Sequence, residues 1–138
     1  MILADDRRGF VERLPEPETL PPWLAAGELD HYVSEFRRTG FTGGLNWYRN
    51  LDRNWELTAA GAGQKVHVPT LFIGGARDPV LAMTPPSVMD GWLPDHRGTV
   101  IIEDAGHWVQ QERPAEVNAA LLPFVASVSR SRIHRHDI

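Results

Sequence analysis

The chain has 138 residues, 42% of them hydrophobic and 23% charged, with a formal net charge of −4, which is the composition of one globular domain with a core. It offers no basic stripe for nucleic acid, no apolar run near the ~20 residues of a membrane span, and no hydrophobic signal core in its opening residues, so a soluble cytoplasmic protein is expected. With no cysteine, disulfides and thiolate catalysis are excluded.

Residues 1–22 carry many prolines and acids (R-L-P-E-P-E-T-L-P-P) and predict an extended surface segment, because proline interrupts a helix. Over residues 25–38 the apolar positions Leu29, Tyr32, Val33 and Phe36 recur at helical spacing, so an amphipathic helix is expected, closed by Gly40. Gly43 and Gly44 are expected to open a second helix over residues 45–60, with Leu45, Tyr48, Leu51 and Trp55 facing inward. The A-G-A-G break at residues 60–63 then separates two parts, 1–62 and 63–138.

Beyond the break the pattern changes. V-P-T-L-F-I-G-G at residues 68–75 is nearly continuous and apolar, as in a strand covered on both faces of a parallel sheet. A helix is expected over residues 85–92, and T-V-I-I at residues 99–102 is a second buried strand. Pro114 starts a final helix to about residue 125, with Val117, Ala120, Leu121 and Phe124 on its apolar face. The polar tail S-R-S-R-I-H-R-H-D-I is expected to fray, and its His134–His136 pair lacks the carboxylates that would make it a metal site. The second part therefore reads as α/β, the end of a doubly wound parallel sheet. Two strands do not make a stable sheet, so the chain is short of strands. Five tryptophans point to a wide apolar pocket or interface, with plain core packing as the alternative.

The chemistry sits just past the two strands. I-G-G-A-R-D-P-V delivers Asp78 and E-D-A-G-H-W delivers His107, and strand-end loops of an open α/β sheet are where catalytic groups gather. An acid followed by a histidine forms two-thirds of a hydrolytic triad, in which the carboxylate fixes the imidazole tautomer. The alternatives are a turn-forming aspartate before Pro79 and a structural histidine after Gly106. Glu103 and Asp104 stand too close to His107 in sequence, and Asp95 lies in a loop, so Asp78 is the favoured partner. Tyr48 offers a phenol able to donate a proton to an oxyanion, whereas Tyr32 falls on a packing stripe. No Gly-x-Ser-x-Gly or Gly-x-Asp-x-Gly pattern supplies a nucleophile.

The stretches N-W-Y-R-N-L-D-R-N-W, R-D-P-V-L and G-H-W-V-Q-Q-E-R-P-A-E-V-N resemble the C-terminal part of soluble epoxide hydrolases of the α/β-hydrolase fold, over residues 20–125. The resemblance implies that residues 1–62 are the second half of a helical lid and residues 63–138 the closing strands and helices of the core. His107 would activate water, Asp78 would be its charge partner, and Tyr48 would be one of two lid tyrosines that protonate the epoxide oxygen. Val80, Leu81 and Trp108 would line the apolar pocket. An aspartate would open the epoxide to an ester that water then hydrolyses to a vicinal diol, with no metal or organic cofactor.

The nucleophile, the oxyanion loop and the other tyrosine belong to the preceding half of such enzymes. The implied partners are a small epoxide and a complementary N-terminal half, without which the chain is expected to be inactive; a homodimer stays open. Two other hydrolases share the acid–histidine layout. A haloalkane dehalogenase could use Trp47 or Trp108 to cradle halide, and a serine esterase could use the same pair. Tyr48 favours the epoxide, since an alkoxide needs a proton and a halide does not. A non-catalytic fragment that binds a partner along its strand edges is the remaining alternative.

Overall fold

The computed structural model describes Gly9 and residues 11–133, so the His134–His136 pair and most of the opening segment lie outside the described residues. The chain divides into two compact units, Met1–Gly43 and Gly44–Ile138.

In the first unit a 3₁₀ turn, Val11–Arg13, precedes a proline-rich stretch without regular structure. Helix α1 spans Ala26–Thr39. Its first turn is held by Glu28, whose carboxylate accepts the Ala25 N–H at 2.8 Å. It ends at Gly40, whose φ of 68° suits glycine and whose N–H reaches the Phe36 carbonyl. Phe41 folds back onto Phe36, with ring centroids 4.6 Å apart. Leu29, Tyr32, Val33 and Phe36 share one face, as their spacing predicts, but that face is an open groove rather than a core.

The expected single helix over residues 45–60 is two. Helix α2 spans Thr42–Arg49 and takes Gly43 and Gly44 into its first turn, instead of starting after them. Helix α3 spans Leu51–Leu57, and a 3₁₀ turn follows at Ala59–Gly61. The break falls at Asn50, whose side-chain amide donates to the Asn46 carbonyl at 2.7 Å. The Asn50 backbone N–H bonds the same carbonyl at 3.1 Å, and asparagine, which bonds readily to nearby backbone groups, is a weak helix former. Leu45, Tyr48, Leu51 and Trp55, expected to face inward, are all exposed, Trp55 to 82%.

Strands β1 (Thr70–Gly75) and β2 (His96–Ile102) pair in parallel, from Phe72 opposite Thr99 to Gly75 opposite Ile102. β2 begins earlier than its T-V-I-I run, with His96 opposite Thr70, and the register shifts between Thr70 and Phe72. The extra residue lies on β2, where Gly98 adopts a φ of 147°. In β1 only Gly74 and Gly75 are buried and residues 70–73 are half-buried, while β2 alternates between half-buried and exposed positions, so both strands depart from the expected burial on both faces.

The helix expected over residues 85–92 is replaced by α4 (Pro79–Met83) and a 3₁₀ turn at Pro86–Met89. Pro85 and Pro86 in succession cannot continue a helix. A short helix not foreseen from the sequence, α5 (Val109–Glu112), precedes α6 (Pro114–Ile133). α6 therefore runs through part of the tail expected to fray. The Ser127 and Ser129 hydroxyls bond back to the carbonyls of Phe124 and Val125 within it.

Among the described residues only Ala105 and Val117 are buried hydrophobics, and none of the five tryptophans is buried. A soluble domain does not normally leave that much aromatic surface open unless it meets another surface. No described helix is long and apolar enough to cross a membrane.

Candidate active site

Both candidate catalytic residues sit where a strand ends. After β1 the chain turns through Ala76 and Arg77, and Asp78 caps α4 with extended backbone angles. Pro79 fills the first helical position, where its missing N–H costs nothing. Asp78 Oδ1 accepts the Val80 N–H at 2.8 Å, while Oδ2 lies 3.0 Å from His107 Nδ1. The turn contact and the contact with His107 thus coexist, one on each oxygen.

The two loops are joined by backbone hydrogen bonds. The Ala76 N–H donates to the Ile102 carbonyl and the Arg77 N–H to the Ala105 carbonyl, each at 2.9 Å. A Cβ on Gly75 would fall 2.3 Å from the carbonyl oxygens of both Ala105 and Gly106, so glycine is required for this approach. Arg77 also pairs with Asp104 across the loops, and Asp95 is engaged by Arg97. Of the three rival acids, Asp104 and Asp95 are therefore committed elsewhere.

The Asp78 side chain is only 11% exposed, and His107 is 51% exposed. Burial alone would raise the Asp78 carboxyl, but the Val80 N–H and the hydrogen bond and charge of His107 outweigh it and hold the group below its ordinary value. The acid is thus an acceptor for Nδ1–H of the imidazole. His107 Nε2 has no protein partner among the described residues and is open to a water or substrate atom. The Trp108 ring meets the imidazole edge-on, with centroids 5.1 Å apart.

The other sequence candidates are more scattered. Leu81 packs over Gly74 of β1, close to where a Cβ there would lie. Val80 and Trp108 are about half exposed beside the pair. Tyr48 lines an open groove with Gly44, Trp47, Leu51 and Asn54, and that lining includes neither Asp78 nor His107. The residue is 74% exposed.

Sequence reading missed Glu112, whose two oxygens accept the N–H groups of Gly106 and Trp108, on either side of His107. The E-D-A-G-H-W-V-Q-Q-E spacing held the signal, a carboxylate one helical turn past Trp108. No cluster of three or more potential metal ligands occurs among the described residues.

The family model described as "Alpha/beta hydrolase family" matches residues 2–120. Epoxide hydrolase A of Mycobacterium tuberculosis is 55% identical over 92% of this chain and 39% of its own length. Mouse bifunctional epoxide hydrolase 2 is 40% identical over 88% of this chain and 22% of its own. Among solved structures, epoxide hydrolase A from Mycobacterium thermoresistibile superposes with a TM-score of 0.78 at 58% identity, over 88% of this chain and 38% of that one. Potato epoxide hydrolase I gives 0.72 at 39% identity, over 77% and 35%. The chain thus spans well under half the length of these relatives.

Proposed function

The chain belongs to the alpha/beta hydrolase family, and from that premise we propose that it is the C-terminal portion of an epoxide hydrolase. The observation that carries the reading is the Asp78–His107 pair, 3.0 Å apart on adjacent strand-end loops with the far imidazole nitrogen open. Similarity to epoxide hydrolases over 92% of the chain adds to it.

In this reading an aspartate on a complementary N-terminal half attacks an epoxide carbon. The C–O bond breaks, a hydroxyalkyl ester forms, and the oxygen, hydrogen-bonded by Tyr48 and a second lid tyrosine, takes the proton of one of them; the imidazolium formed in the next step returns a proton to that tyrosinate. His107 Nε2 then removes a proton from water, which hydrolyses the ester to a vicinal diol and frees the nucleophile. Asp78 stabilises the imidazolium and keeps Nδ1 protonated throughout. Val80, Leu81 and Trp108 supply apolar contacts to the substrate. Residues 1–62 are the later part of a lid that supplies Tyr48, and residues 63–138 complete the core. The exposed Trp47 and Trp55 side chains are covered by the complementary N-terminal half.

The test is to combine the chain with an N-terminal half of an epoxide hydrolase from a close relative and to offer an aryl epoxide and a haloalkane. Diol formation that needs both pieces supports the reading. Halide release without diol reassigns the site to a dehalogenase, and no turnover of either substrate by a folded complex removes the proposal.

A further inference from the structure

His107 is half exposed, and its ring meets only the Asp78 carboxylate and the edge of the Trp108 ring, so the backbone that carries it bears on the direction in which it points. The backbone N–H groups of the residues before and after it are each tied down. The Gly106 N–H donates to Glu112 Oε2 at 2.7 Å and the Trp108 N–H to Glu112 Oε1 at 3.1 Å. Each oxygen of one carboxylate thus takes one of the amides that flank the histidine. Hydrogen bonds to an ionised acceptor are the stronger kind.

The surroundings are shaped for this contact. A Cβ on Gly106 would lie 3.1 and 3.3 Å from the two carboxylate oxygens, so the absence of a side chain lets Glu112 come close. Glu112 is held in turn by its own N–H, which donates to the Trp108 carbonyl at 2.9 Å and closes α5. One residue earlier, the fully buried Ala105 is fastened to the Asp78 loop through the Arg77 N–H. The base is therefore bracketed by a loop anchor before it and a carboxylate clamp around it.

We propose that Glu112 is a positioning residue for His107: by clamping the Gly106 and Trp108 amides it aims Nδ1 at Asp78 and leaves Nε2 facing outward. The inference rests on His107 being the base of the proposed reaction, but its test needs no substrate, so failure of the clamp and failure of the hydrolase reading are told apart.

The imidazole tautomer reports the geometry, because a neutral histidine keeps its proton on Nδ1 only while Asp78 accepts it. The full chain, labelled with ¹⁵N-histidine, is observed by NMR at alkaline pH, with the His107 signals assigned by their loss in His107→Gln. The wild type is expected to show Nδ1–H, and Asp78→Asn to lose that preference. Glu112→Ala, folded by circular dichroism, is expected to lose it as well. Glu112→Gln keeps the side-chain length and one acceptor oxygen and is expected to fall between. A folded Glu112→Ala protein with the wild-type tautomer overturns the proposal. If that variant does not fold, Glu112→Gln decides: a shift away from Nδ1–H supports the clamp and an unchanged tautomer overturns it.

Discussion

The carbonyl oxygen of Ala105 stands 2.3 Å from where a side chain on Gly75 would begin, so the loops bearing the acid and the base meet backbone to backbone. Neither backbone can yield without disturbing the other loop. Gly75→Ala is expected to destabilise the fold by about 1–3 kcal/mol, the usual range for overpacking a tight site. It should also weaken the Asp78–His107 hydrogen bond. Urea unfolding measures the first effect and the His107 tautomer the second; an unchanged midpoint would show that the loops have slack.

Tyr48 presents an open phenol from α2, away from any protein acceptor among the described residues. As a proton donor to the opening ring it is expected to matter for ester formation and not for ester hydrolysis. Tyr48→Phe in the reassembled enzyme should slow the first step by about 10²-fold, the low end for general acid catalysis, because a second tyrosine remains. Single-turnover kinetics separate the steps, and an unchanged first step would remove Tyr48 from the proposed mechanism.

The lowered Asp78 carboxyl has a consequence for stability. Its ionised form is favoured in the fold, so its contribution is complete above the ordinary value of 3.8 and is lost as pH falls through the depressed native one. The pH-dependent part of the difference between wild type and Asp78→Asn should be flat near neutrality and close below that value. Urea midpoints across an acid series measure it, and a gap that widens toward acid contradicts the assignment.

Trp47, Trp55 and Met83 are each at least three-quarters exposed in the chain alone. An apolar dye such as ANS should therefore bind the isolated chain strongly and be displaced when the N-terminal half is added. Retained fluorescence in a complex with diol-forming activity would mean that the partner covers some other surface.

Much of this was legible in the sequence because the strongest signals were local. The V-P-T-L-F-I-G-G and T-V-I-I runs marked two strands, and the acid and histidine that follow them marked the loop pair. Asparagine and proline chemistry were harder to read from periodicity. A helix whose apolar spacing continued across Asn50 broke there, and Pro85–Pro86 prevented one whose composition allowed it. Inward-facing positions were misjudged for a different reason. Leu45, Leu51 and Trp55 carry the pattern of a buried face, but no described residue of this chain covers them. Glu112 was missed because its partners are backbone amides, which leave no mark in the identity of the residues they belong to.

The most direct measurement is a mass spectrum of the His107→Gln chain, combined with the N-terminal half and exposed to an epoxide. Ring opening should proceed while ester hydrolysis stalls, so the N-terminal half is expected to gain the full mass of the epoxide and keep it. Wild-type complex under the same conditions should show diol and little adduct. Steady diol release by the His107→Gln complex at the wild-type rate, with no adduct, would contradict the assignment of His107 as the base.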